Sequence, residues 1–138
     1  MLAAAGGPDV PPTGAEGPEE QRNWQDGMAN FDDEFADLQT FFEHVIDGTL
    51  EGDAADRKAA SLFGDIRGSW YFVGYRMAVV VESHFGRATL INCMLDYRRL
   101  LAEYNEAANA LNRSGATWLP IWSSAILDGI SAPRSNRD

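Results

Sequence analysis

Two phenols, Tyr71 and Tyr75, stand one helical turn apart in the stretch Gly68-Ser69-Trp70-Tyr71-Phe72-Val73-Gly74-Tyr75-Arg76-Met77-Ala78-Val79-Val80-Val81-Glu82. A phenol is a hydrogen-bond donor at neutral pH, so on one helix the pair could point donors into a cleft. Tyr71, Tyr75, Ala78 and Glu82 recur at spacings of four, three and four, a single stripe. Beside it runs an apolar stripe of Trp70, Val73, Gly74, Met77 and Val81, which reads as core. Gly74 costs such a helix roughly 1 kcal/mol relative to alanine, and close approach of another backbone or a ligand is its expected compensation. Spacing alone leaves two readings open: donors lining a cleft, or half-buried tyrosines satisfied by local carbonyls.

Other reactive residue types are sparse. The two histidines, His44 and His84, are forty residues apart and neither has a second His or Cys at metal-ligand spacing. His84 instead suits the C-terminal end of a helix electrostatically. Cys93 is the single cysteine, so no intrachain disulfide forms, and its apolar setting Leu90-Ile91-Asn92-Cys93-Met94-Leu95 predicts a small buried side chain. Asp47-Gly48-Thr49-Leu50-Glu51-Gly52-Asp53 begins like a calcium loop, but the twelfth position is Lys58 where a bidentate glutamate belongs. That reads as a plain interhelical turn. No glycine-rich phosphate loop and no G-x-S-x-G elbow occurs.

The elements that must position these residues are all helical. Pro18-Glu19-Glu20 opens a helix with proline and acids in its first turn. Trp24, Met28, Phe31, Phe35, Leu38, Phe42 and Val45 then form one seam, predicting a single long helix that ends near Gly48. The acids Asp32-Asp33-Glu34 read as its solvated surface. A second helix is expected from an Asp53 cap through Leu62, stopping at Gly64, and a third from about Trp70 to Phe85, stopped by Gly86. Residues 87–95 predict a fourth, and Asp96 caps a fifth reaching about Asn112. A sixth is expected over Trp118 to Asp128, capped by Thr117, with Pro120 tolerated in its first turn. The fold class is therefore all-α, with about six helices in one domain over 1–130 and a disordered tail over 131–138. Met1-Leu2-Ala3-Ala4-Ala5 before Gly6-Gly7-Pro8 reads as the end of a helix begun upstream, so the domain is expected to be incomplete at its N-terminal side.

Composition narrows the partners. Among 138 residues there are 21 acidic and 11 basic, a net charge of −10. Nucleic acid is disfavoured, because duplex binding relies on Lys and Arg to neutralise phosphates, and so is an anionic membrane surface. No run has the length of a transmembrane helix. Met1-Leu2-Ala3-Ala4-Ala5 lacks the basic flank and apolar length of a signal peptide, and a cytoplasmic location is expected.

Tyr71-Phe72-Val73-Gly74, succeeded by an aliphatic helix and then Phe85-Gly86, resembles the Y-x-x-G helix of gluzincin-type zinc metallopeptidases. More closely, Gly68 through Ala108 is similar to an uncharacterised bacterial family of gluzincin-like peptidases, in which YxxGYxMAxxVE, FGR and RRLLxxYNEAA elements occur in this order. The start, through Pro8, also resembles the residues directly after that family's E-G-x-A segment. In gluzincins an H-E-x-x-H helix and a glutamate on the next helix hold zinc, and the inner glutamate is the general base for zinc-bound water. The resemblance implies that Tyr71 is the catalytic donor to the developing oxyanion, with Tyr75 and Arg76 as substrate-binding wall residues. Removing one such donor typically costs about 10²–10³ in rate.

This sequence departs from the pattern at the metal: it has no H-E-x-x-H and no upstream glutamate ligand. The expectation is thus a C-terminal helical fragment of a zinc-dependent peptidase, with no metal ligands and no cofactor of its own, inactive by itself. Its expected partners are the missing N-terminal peptidase half or a second copy, with a peptide substrate only when completed. A stand-alone helical interaction module without catalysis is the alternative.

Overall fold

The computed structural model describes residues 18–63, 68–115 and 118–131. Among them are seven helices and no strands: α1 (Pro18–Ala29), α2 (Phe31–Ile46), α3 (Gly52–Phe63), α4 (Ser69–Phe85), α5 (Arg87–Leu95), α6 (Tyr97–Ser114) and α7 (Ser124–Ser131). The fold is all-α.

Helix α4 is the central element, packed against α1, α2, α3, α5 and α6, while α7 closes on α2 and α6. Its sequence explains that place, because a helix apolar on nearly all sides must be surrounded. Val73, Met77 and Val81 are fully enclosed in the main core with Phe35, Leu38, Cys93, Tyr104 and Trp122. On another side Phe72 and Tyr75 form a smaller cluster with Met28, Tyr71 and Val79. Gly27 of α1 lies so close to α4 that a methyl group there would run into the Phe72 ring. The Ser69 hydroxyl donates to the Glu34 carboxylate, tying the start of α4 to α2.

Local signals place several boundaries well. Gly86 ends α4 with a φ of 92°, a conformation other residues rarely adopt, and its N–H bonds to the Glu82 carbonyl. Asp96 caps α6, its carboxylate accepting from the Arg98 N–H at 3.2 Å.

Four expectations about the helices need correction. The single helix expected from Pro18 to near Gly48 is two helices broken at Asn30. The acids Asp32, Asp33 and Glu34 occupy the first turn of α2, where they favour the positive end of its dipole. The break also turns α1 toward the Phe72 side of α4 while α2 sends Phe31, Phe35 and Leu38 into the main core. Along the predicted seam, Val45 is 44 % exposed and the unpredicted Phe41 is buried; the Trp24 side chain lies outside the described ones. Helix α3 starts at Gly52, so Asp53 sits in the first turn rather than at the cap.

The last helix begins at Ser124, not at Trp118. Residues 118–123 are non-helical because side chains of other helices take their backbone groups. Asn112 and Asn105 on α6 pair with Leu119 and Trp122, the Tyr104 hydroxyl donates to the Pro120 carbonyl, and the Ser123 N–H donates to Gln39 of α2. Those bonds outweigh a local helix start. Thr117, Gly64, the opening residues 1–17 and most of the predicted tail lie outside the described residues.

Candidate active site

The three residues singled out for chemistry all stand on α4 but do not share one surface. Tyr71 is half-buried, with its ring edge-on to Phe72 at 5.9 Å between centroids. Tyr75 is 3 % exposed and packs in the same cluster. Burial raises both phenol pKa values, and Tyr71 and Glu82 nearby push Tyr75 further in that direction. Each therefore keeps its proton through the neutral range and carries an O–H donor there. Tyr75 is thus enclosed beside Tyr71 rather than open on the surface.

Arg76 points elsewhere. Its guanidinium lies over the Phe31 ring at 5.8 Å from the centroid, and its Nε is buried without a hydrogen-bond partner. Desolvating such a donor costs about 1–3 kcal/mol when no bond replaces water. Tyr71 and Arg76 are five residues apart, which on a helix is about 7.5 Å along the axis and about 140° around it. Tyr71 and Tyr75 are thus brought together; Arg76 faces the junction of α2 and α6.

Gly74 does not sit under a tight intramolecular contact. A Cβ there would meet the Trp70 indole at 3.6 Å, an ordinary van der Waals distance. The expected close approach of another backbone is absent among the described residues. Glu82, at the far end of the tyrosine stripe, pairs with Arg87 at 2.8 Å and fastens α4 to α5.

The described residues do not form a set that fits a zinc ion. Among the described residues no group of three or more His, Cys, Asp or Glu is placed to hold a metal. His44 is exposed on α2, and His84, also exposed, lies edge-on to Phe85 at the end of α4. Cys93 is enclosed in the core, and burial pushes its thiol pKa up, away from the thiolate a metal requires. In the Asp47 turn the carboxylate accepts from the Thr49 N–H at 2.8 Å, a local turn bond.

Sequence comparison places this helical frame. The model of a family described as "Putative zinc dependent peptidase" matches residues 3–113, most of the chain and all of α4. The chain belongs to that family. No curated protein and no solved structure matches it. This zinc-peptidase family member also has a part of its core beyond the matched span, since Leu119, Trp122 and Ile126 are all buried. Reasoning from sequence missed the polar residues that hold that part in place, Asn105 and Asn112. Their signal was two asparagines in a helix interior, where asparagine is a poor helix former, at a spacing of two turns. No helix among the described residues is long and apolar enough to cross a membrane.

Proposed function

We propose that this chain forms the helical, tyrosine-bearing side of a zinc-peptidase site and is noncatalytic by itself. Tyr71 is the oxyanion donor, Tyr75 braces it, and the metal ligands come from polypeptide outside residues 1–138. The observation that carries this reading is the combination of family membership with the absence of any H-E-x-x-H in the sequence. The neutral, partly desolvated phenol of Tyr71 supports it, since such a donor interacts strongly with developing negative charge and cannot act as a base. Zinc enters only as the family's cofactor, because the described donors of this chain do not form a set that would hold it.

The test joins this chain to an H-E-x-x-H-bearing segment of the same family and monitors peptide hydrolysis. The joined protein should turn over peptide, the chain alone should not, and Tyr71→Phe should lower kcat about 10²–10³-fold with little change in KM. Equal losses in kcat for Tyr71→Phe and for a distant surface change would remove Tyr71 from the site.

A second reading, a helical interaction module without catalysis, is favoured by one feature. Ile91, Met94 and Leu95 of α5 are 42 %, 44 % and 82 % exposed on neighbouring positions of one helix. A joined protein with no hydrolysis, together with a chain that self-associates through α5, would favour this module over the peptidase side.

A further inference from the structure

Among the described residues Arg76 alone carries a buried side-chain polar atom without a hydrogen-bond partner. Three other described arginines find carboxylates: Arg87 pairs with Glu82, Arg98 with Asp96 and Arg99 with Glu103, while Arg22, Arg57 and Arg113 are exposed to solvent. Arg76 forms no ion pair with any described residue, although the protein carries 21 acidic side chains. Asp32 on α2 and Tyr104 on α6 face the same region, and Arg76 and Asp32 bias the Tyr104 hydroxyl in opposite directions. The fold has thus partly desolvated a permanent cation on its central helix and supplied it with an aromatic ring rather than a counter-charge.

We propose that Arg76 is a receptor for a carboxylate arriving from outside the chain, the C-terminal carboxylate of an extended peptide. The Phe31 ring on one side and the enclosed Nε restrain the guanidinium, so its remaining N–H donors are presented as a fixed fork. Such a fork matches the two oxygens of a carboxylate, and a bidentate pair of this kind is stronger and more directional than a lysine contact. A cation already stripped of part of its water attracts an anion more strongly than one in bulk solvent. The offset of about 140° from Tyr71 places this receptor on a different side of α4, so the carboxylate is held apart from any group Tyr71 would contact. The inference names the substrate class for the peptidase reading above and rests on it only in assigning the carboxylate to a peptide.

The test uses the full chain without metal and monitors the arginine Nε–H signals by ¹H–¹⁵N NMR during titration. The Arg76 signal is identified by its loss in Arg76→Met. The probes are N-acetyl-alanyl-alanine, its C-terminal amide, and N-acetyl-aspartate amide, which offers a side-chain carboxylate instead. The acid should give a saturable shift of the Arg76 signal, and the amide should bind at least about tenfold more weakly, the cost of losing a charge-assisted pair. Arg76→Lys should weaken the acid about tenfold, and Asp32→Asn should tighten it by removing a neighbouring negative charge. A non-saturating acid titration, or equal binding of acid and amide, would overturn the proposal. Equal binding of the aspartyl probe would overturn its assignment to a peptide terminus. Should Arg76→Met fail to fold, loss of the signal in Arg76→Lys identifies it, and the acid and amide comparison on the native chain decides. Because no turnover is read, failure here leaves the Tyr71 test standing, and failure there leaves this one standing.

Discussion

The side-chain amide of Asn105 pairs with both backbone groups of Trp122: Nδ2 donates to the carbonyl and Oδ1 accepts from the N–H, each at 2.8 Å. Asn112 repeats the arrangement with Leu119 at 2.9 and 2.7 Å. Seven residues of helix rise about 10.5 Å, and three residues of extended chain span about 10 Å. Two asparagines two turns apart on α6 therefore match the backbone of an extended segment, and that segment seats Leu119 and Trp122 in the core. Trp122 stacks on Phe35 at 4.0 Å and its indole N–H meets the Met77 sulfur at 3.2 Å. The clamp thus fixes the side of α4 opposite its tyrosines.

Asn105→Ala should destabilise the protein by about 2–4 kcal/mol, because it strands a buried N–H and a buried C=O at once. Asn105→Asp should also destabilise it, since the donor is lost and a charge is placed in the interior. Urea denaturation measures both. A loss for Asn105→Ala below about 0.5 kcal/mol would show that water replaces the amide and that the clamp is not structural.

Tyr104 supplies a pH dependence. Burial raises its pKa well above the ordinary value, and its hydroxyl donates to the Pro120 carbonyl at 2.7 Å. A group that holds its proton more tightly when folded stabilises the fold fully below the unfolded pKa, about 10. That contribution disappears as pH rises from there toward the folded value. Stability should therefore fall above about pH 10, and Tyr104→Phe should flatten that fall while costing about 0.5–1.5 kcal/mol at neutral pH. Denaturation midpoints across the alkaline range check the slope; an unchanged slope in Tyr104→Phe would assign it to other groups.

Much of this architecture is legible in the sequence where the signals are local. Gly86 and Asp96 mark the limits of α4, α5 and α6 because a glycine at positive φ and a capping carboxylate act within one turn. The break at Asn30 is hidden, because the spacing of Met28, Phe31 and Phe35 runs across it without interruption. The start of α7 is hidden for a different reason: Asn105 and Asn112, far away in sequence, overrule a local helix signal. At the site, the helix bearing Tyr71, Tyr75 and Arg76 and its family are legible from the motif. The burial of Tyr75 and the separate direction of Arg76 are not, because both depend on where α1 and α2 land.

Gly74→Ala should stabilise the chain by about 0.5–1 kcal/mol, since the helix gains propensity and the added methyl meets only the Trp70 indole at ordinary distance. Thermal or urea unfolding reads the change. In the joined protein the same substitution tests whether a ligand uses that space: hydrolysis should fall although the fold is more stable. A destabilised Gly74→Ala chain would reveal a close contact at this position.

Cys93 should be inert in the native state. It is 1 % exposed, and burial raises its thiol pKa, with Glu103 adding to the effect. An exposed-thiol reagent should react only as fast as the protein opens, and its rate should rise with urea in step with unfolding. Rapid labelling of the folded protein would place Cys93 near solvent and loosen the packing of α5 on α6.

Zinc retention distinguishes a chain without a metal site from one that builds its own. The purified chain is incubated with zinc, dialysed exhaustively against metal-free buffer, and measured for zinc per polypeptide. Essentially no zinc should be retained, because no ligand set accompanies Tyr71 among the described residues. One tightly held zinc per chain would contradict it, and would mean that this polypeptide builds the metal half of its own site.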